Sequence, residues 1–297
     1  MYEVVTARAD YLNIYVNSFV VSTQRFNIFI DSGIAGNIKS LQPYVENGKT
    51  NVLLMTHGHW DHIGLNSYIR KHGGMIYAHK ADIRFYQDFD WHWKYGFGQF
   101  ENDIIVPPER QDIFWNSIGK PTPIDRFVRE GDELTFDEVR LKVVELPGHS
   151  LGSIGYVDED HHVLFSGDAL MGKGFFGGMA QYCDYEKYIR SMQKIIEIKP
   201  EKVYTSHTDC LDYRKGVETA QEAIAFAHCV QSHVEAYIAS NDDKQNVVLG
   251  EIGRYVAAHV NRAMGGGACV TVLNHLFDMK NNDSRIEKCV GRYICKV

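Results

Sequence analysis

Six consecutive residues, His57-Gly58-His59-Trp60-Asp61-His62, place three imidazoles and a carboxylate within one short segment. Imidazole nitrogen and carboxylate oxygen are ligands for divalent cations, and four such groups crowded together are hard to account for without a metal. The apolar run Val52-Leu53-Leu54-Met55 just before them reads as a buried strand. A strand end held in a sheet is a rigid mount from which ligands can be aimed into a cleft. Three further groups follow predicted strands: His149 in Leu146-Pro147-Gly148-His149-Ser150, Asp168 in Ser166-Gly167-Asp168, and His207 in Ser206-His207-Thr208. Each alone reads as a core or turn residue. With the first cluster they make five histidines and two aspartates at strand termini, which suits two metal ions sharing one carboxylate.

The elements that must position these groups alternate short apolar runs with turn signals. Strands are predicted over 11–16, 19–22, 26–31, 51–55, 75–78, 140–146, 154–157, 163–166 and 203–205. Helical stretches follow Gly33 to about Glu46 and span 63–72. Another is capped by Asp184 and stopped by Lys199-Pro200. Two sheets packed face to face with helices outside accommodate this order, an α+β, four-layer αββα sandwich. Residues 85–115 differ: ten aromatic side chains stand among glycines and polar residues. They read either as a surface excursion tacked down by its rings or as a lid that walls the cleft.

From Lys215 onward the spacing of apolar residues turns helical, over 216–240, 247–263 and 268–279. Arg285–Cys289 and Tyr293–Lys296 can pair as a hairpin around Val290-Gly291, and three helices before a hairpin is the order of a winged helix. The expected division is a catalytic domain over 1–212 and a mainly helical, winged-helix-like extension over 213–297.

Composition bounds the rest. The chain has 297 residues, 44% hydrophobic and 23% charged, as expected of one large globular domain with a small appendage. Its net charge of −7 argues against gripping a phosphate backbone, so nucleic acid is not the expected partner. The amino-terminal residues do not read as a secretion signal, and no apolar run reaches bilayer length. Six scattered cysteines without a CxxC pair suit free thiols in a reducing compartment, so the reading is cytoplasmic, with a homodimer compatible.

The run His57-x-His59-x-Asp61-His62, the stretch Pro147-Gly148-His149-Ser150 with Gly152-Ser153 behind it, Ser166-Gly167-Asp168 and Ser206-His207 resemble the metallo-β-lactamase superfamily over residues 1 to about 210. The Pro-Gly-His-Ser-x-Gly-Ser stretch is most similar to the glyoxalase II-type hydrolases. The carboxy-terminal pattern, Val270 to Leu276 with the later hairpin, is similar to the β-lactamase-like protein 2 group. The resemblance implies that His57, His59 and His149 hold one metal, that Asp61, His62 and His207 hold the other, and that Asp168 bridges. It makes Asp31, in an Asp-x-Gly turn, the residue that orients a ligand histidine through its other ring nitrogen. It implies two divalent ions, zinc first with iron or manganese as alternatives. Hydrolysis of a small ester, thioester or lactone by a hydroxide held between them would follow, with Asp61 aiming it.

The alternatives are an RNA nuclease of the same superfamily and a di-iron redox protein. The redox branch carries glutamate where this chain has His59. The chain also departs from the glyoxalase II pattern: Met171 to Gly178 stands where an arginine-containing segment is usual. From that segment Lys173, Phe175 and Phe176, and from the aromatic stretch Trp91 and Trp93, are the expected substrate contacts.

Overall fold

The computed structural model describes residues 3–11, 14–241 and 246–294. One six-stranded sheet contains β1 (Val4–Tyr11), β2 (Ile14–Ser22), β3 (Phe26–Ile30), β4 (Thr50–Leu54), β5 (Met75–Ala78) and β6 (Arg126–Phe127), adjacent in chain order. Its first three strands are antiparallel and the rest parallel. The second sheet contains β7 (Glu133–Phe136), β8 (Val139–Glu145), β9 (Ile154–Asp158), β10 (Val163–Gly167), β11 (Lys202–Thr205) and β12 (Leu211–Asp212). All its neighbours are antiparallel except β10 and β11.

Period-two alternation decides the layers. Phe19, Val21, Ile28, Ile30, Val52 and Leu54 face the other sheet and meet its Leu141, Val143, Ile154, Tyr156 and Phe165. The intervening Val20, Phe29 and Leu53 point outward, onto Leu41 and Val45 of α1 (Ile38–Val45) and Ile69 of α2 (Asn66–Lys71). Val144, Val157, Leu164 and Val203 of the second sheet likewise pack outward, against the helices over Tyr185–Ile198 and Tyr213–Ser240. The result is the expected αββα sandwich.

The single strand expected over 11–16 is not one element. Those residues straddle the end of β1 and the start of β2, which pair from Val4↔Val21 to Tyr11↔Ile14. The signal for β1 is weak because its buried positions include Ala7 and Ala9, small residues with little strand preference.

The aromatic stretch is neither irregular nor superficial. It builds α3 (Ile83–Gln87), α4 (Phe89–Gly96) and most of α5 (Pro108–Ser117). Asp88 caps α4 by accepting from the Trp91 amide at 3.0 Å. Phe85, Trp91 and Tyr95 pack on one another, while Phe89 and Phe114 join the outer core of the first sheet.

α6 (Tyr185–Ile198) begins at its Asp184 cap and ends at Lys199, whose φ of 53° is left-handed, before Pro200. After β12 come α7 (Tyr213–Ser240), α8 (Leu249–His259), α9 (Gly266–Met279) and α10 (Ser284–Val290). Their apolar faces share a core with Phe100, Met171, Met179, Ala180 and Cys183, so they grip the segment between β10 and α6.

The expected hairpin over 285–296 does not form, and the winged-helix order falls with it. Ile286, Cys289 and Val290 are buried at helical rather than alternating spacing, and Asp283 caps their helix through the Arg285 amide at 2.8 Å. Its second strand runs partly into residues outside those described. Among the described residues no helix is long and apolar enough to cross a membrane, and Cys183, Cys210, Cys229 and Cys269 are free thiols.

Candidate metal centre

The ends of β3, β4, β8, β10 and β11 deliver Asp31, the 57–62 loop, His149, Asp168 and His207 to one place. His149 Nε2 stands 3.2 Å from His57 Nε2 and 2.8 Å from His59 Nδ1. These three histidines form one group able to hold a metal ion, and Asp61, His62 and His207 form another. His207 Nε2 is 3.4 Å from Asp61 Oδ2. Asp168 Oδ2 lies between the groups, 3.2 Å from His207 Nε2, 3.6 Å from His62 Nε2 and 3.7 Å from His149 Nε2. A tetrahedral cation with bonds of about 2.1 Å holds its ligands about 3.4 Å apart, so these separations fit.

Buried atoms without partners support the same reading. Neither His62 Nε2 nor Asp168 Oδ1 has a hydrogen-bond partner, and both are buried. Leaving such atoms unsatisfied costs about 1–3 kcal/mol each, which a cation among them would remove. The donor set of nitrogen and oxygen suits zinc, iron or manganese.

Three ring orientations are set from behind. His62 Nδ1 donates to Asp31 Oδ2 at 2.9 Å, His149 Nδ1 to the Gln181 carbonyl at 2.8 Å, and His207 Nδ1 to the Tyr15 carbonyl at 2.7 Å. Each bond fixes a proton on Nδ1 and turns Nε2 inward, toward the space a cation would take. Asp31 also accepts from the Thr56 amide and hydroxyl, both at 2.7 Å, from a left-handed backbone with φ 57° that aspartate tolerates.

The two groups differ electrostatically. Burial, reinforced by neighbouring imidazoles, holds His57 and His59 well below the ordinary histidine range, and burial lowers His149. Burial also opposes charge on His62 and His207, but Asp168 and Asp61 overcome it, lifting His62 well above its usual value and His207 to about 10. Burial pushes Asp61 up, yet His62 and His207 outweigh it and bring it down to about 2. Asp168 is held low by the same two rings against its burial. A cation entering the second group displaces protons from His62 and His207.

Sequence reading missed Asp82, which is fully buried. Its Oδ2 accepts from the Gly58 amide at 3.0 Å and the Ser150 hydroxyl at 2.6 Å, and its Oδ1 accepts from the Gly152 amide at 2.8 Å. One carboxylate thus ties the His57–His62 loop to the His149 loop. A Cβ on Gly152 would lie 2.6 Å from Asp82 Cγ, so glycine is required there by the close approach. In the sequence Asp82 is an ordinary turn residue after a strand, and nothing marks its partner loops.

His59, Asp61, His149, Asp168 and His207 floor a cavity of ≈ 170 Å³. Trp60, Tyr95, Phe97, Met171, Phe175 and Phe176 wall it. Phe175 and Phe176 stand with ring centroids 5.0 and 5.7 Å from that of His207. The other expected substrate contacts lie elsewhere. Trp91 stacks on Tyr95 at 5.1 Å behind the wall, and Trp93 packs on Phe97 at 5.0 Å and Phe114 at 5.4 Å. The helical turn of α4 presents His92, Tyr95 and Gly96 to the cavity instead. Lys173 pairs with Glu222 at 2.8 Å, away from the wall.

Residues 13–207 match the family model of the metallo-beta-lactamase superfamily, and the chain belongs to that superfamily. Among curated relatives, hydroxyacylglutathione hydrolase GloC of Haemophilus influenzae is 30% identical over 48% of this chain and 60% of its own length. The beta-lactamase-like protein 2 homolog of Drosophila melanogaster is 24% identical over 66% and 59%. An acyl-coenzyme A thioesterase of Gallus gallus is 24% identical over 64% and 72%. The chain spans about 60% of the length of the first two of these relatives. A metallo-beta-lactamase family protein from Thermus thermophilus superposes with a TM-score of 0.72 at 19% identity, over 94% of this chain and 93% of that one. That coverage extends past residue 207, so much of the carboxy-terminal helical part belongs to a shared architecture.

Proposed function

We propose that this protein is a metal-dependent hydrolase of small acyl compounds, thioesters first, with esters and lactones as related substrates. The observation that carries the reading is the pair of ligand groups meeting at Asp168 on the floor of a small aromatic cavity. Zinc is the proposed metal, with iron or manganese as alternatives. His57, His59 and His149 would hold one ion, Asp61, His62 and His207 the other, with Asp168 between them. Ions bound there supply Lewis acidity toward the acyl oxygen and bring the pKa of bound water toward neutrality.

The chain's own groups do the rest. Asp61, a carboxylate at working pH, accepts a hydrogen bond from the attacking water and orients it. Asp31, Gln181 and Tyr15 hold three ligand rings in one tautomer. The aromatic walls exclude bulk water and seat an apolar acyl group. A thiolate leaves with little protonation, so the scheme needs no dedicated acid. The cavity is smaller than the 300–1,000 Å³ typical of drug-sized ligands, which supports entry of the reacting end alone. Among the described residues no lysine or arginine lines it, so an anionic carrier arm would lie outside. Hydroxyacylglutathione hydrolase and acyl-coenzyme A thioesterase among the relatives support acyl transfer to water. In this reading residues 1–212 form the catalytic unit and 213–297 a helical part built against it.

The test is turnover of a panel of thioesters, esters, lactones and β-lactams by protein of measured metal content. Thioester hydrolysis that disappears in His59→Ala is expected. Activity no greater than that of His59→Ala on every compound would overturn the assignment.

A further inference from the structure

The ring of His149 is aimed by a carbonyl that no strand or helix holds in place. Gln181 lies in the irregular stretch between β10 and α6, with Ala180, Tyr182 and Cys183 around it buried. A buried stretch without a ladder must find partners for its peptide groups elsewhere. It finds them on α9. Thr271, Asn274 and His275 are all buried and lie at the spacing that puts them on one helix face. Thr271 Oγ1 donates to the Ala180 carbonyl at 2.8 Å and accepts from the Tyr182 amide at 3.1 Å. Asn274 donates to the Cys183 carbonyl at 2.9 Å and accepts from the Tyr185 amide at 2.8 Å. His275 Nε2 bonds the Tyr182 hydroxyl at 2.8 Å, and its Nδ1 is held by Gln231 of α7.

The Tyr182 amide and the Gln181 carbonyl belong to one planar trans peptide, so they point in opposite directions. Holding the N–H on the α9 side therefore aims the C=O at His149 Nδ1, 2.8 Å away. We propose that Thr271 is a positioning residue for His149, acting through the Gln181–Tyr182 peptide. The helical carboxy-terminal part then sets one of the ligand rings as well as packing beside it. The inference rests on the metal-site reading above for its consequence, but its structural content concerns only the His149 tautomer.

The test compares Thr271→Val and Thr271→Ala, which lose the hydroxyl, with Thr271→Ser, which keeps it. Val272→Ala is the control, because it removes buried methyl groups from the same helix without removing any hydrogen bond to residues 180–185. Long-range ¹H–¹⁵N spectra of the metal-free proteins report the His149 tautomer. Wild type, Thr271→Ser and Val272→Ala are expected to show His149 protonated on Nδ1 alone, while the Val and Ala variants show both tautomers. Zinc competition against a chromophoric chelator should show affinity lowered roughly tenfold in the Val and Ala variants, the lower end of the range for such supporting contacts. The loss should fall on the binding event that His149→Ala abolishes. A His149 tautomer unchanged in both Thr271→Val and Thr271→Ala would overturn the proposal, whatever the protein hydrolyses. Failure to hydrolyse any acyl compound with the tautomer shift present would overturn the hydrolase reading alone.

Discussion

Replacing Asp82 tests whether the two ligand loops are held as one unit. In Asp82→Ala the amides of Gly58 and Gly152 lose their acceptor inside a fully buried site, while Ser150 keeps Ser153 Oγ at 2.9 Å. An unsatisfied buried N–H costs about 1–3 kcal/mol, so the pair costs about 4 kcal/mol. Unfolding entropy near 2.1 cal/mol/K per residue gives about 0.6 kcal/mol/K for a chain of this length, so the expected fall in Tm is about 6 °C. Asp82→Asn keeps an oxygen for Gly152 and sets an amide against the Gly58 N–H, so about half that loss is expected. Calorimetry of the metal-free proteins measures the stability, and chelator competition on the same proteins measures the linked effect on the site. Affinity at the His57, His59 and His149 group should fall about 10–100-fold, as for other loss of support behind metal ligands. A Tm within about 1 °C of wild type in Asp82→Ala, with unchanged metal affinity, would refute the view that this carboxylate joins the loops.

Asp31→Asn keeps an acceptor for Thr56 but turns an amide toward His62 Nδ1, so zinc affinity at the second group should drop about 10–100-fold in chelator competition. Equal affinity would remove Asp31 from the site. Phe175→Ala with Phe176→Ala opens the wall beside His207, and KM for thioesters with apolar acyl groups should rise more than kcat falls. Trp91→Phe, behind the wall, should leave KM unchanged in the same assay. His275 is buried and its pKa is pushed down by that burial to about 3. The unfolded chain takes up this proton near the ordinary histidine value of about 6.5, so stability is present above that pH and declines as pH falls toward 3. Denaturant unfolding of His275→Gln should show a pH slope between 6 and 4 that is shallower by up to about 1.4 kcal/mol per unit.

Much of the candidate site was legible because clustered groups able to ligate a metal are uncommon in a sequence and four of them fall together. His57, His59, Asp61 and His62 announce themselves within six residues, and His149, Asp168 and His207 each follow an apolar run that reads as a strand. The alternation of Phe19 to Val21, Ile28 to Ile30 and Val52 to Leu54 likewise carries the sandwich, because a strand shows its two faces in consecutive letters. Tertiary structure decided what depends on contacts between distant segments. Trp91 and Tyr95 are equally aromatic in the sequence, and only the helical turn of α4 sends one behind the wall and the other into it. The letters of Ile286 to Val290 permit a strand or a helix, and burial of Ile286, Cys289 and Val290 on one side selects the helix. Asp82, Gln181 and Thr271 act through backbone amides and carbonyls, or on loops remote in the chain. Backbone groups are the same in every residue, so no side-chain pattern could reveal those partners before the chain was folded.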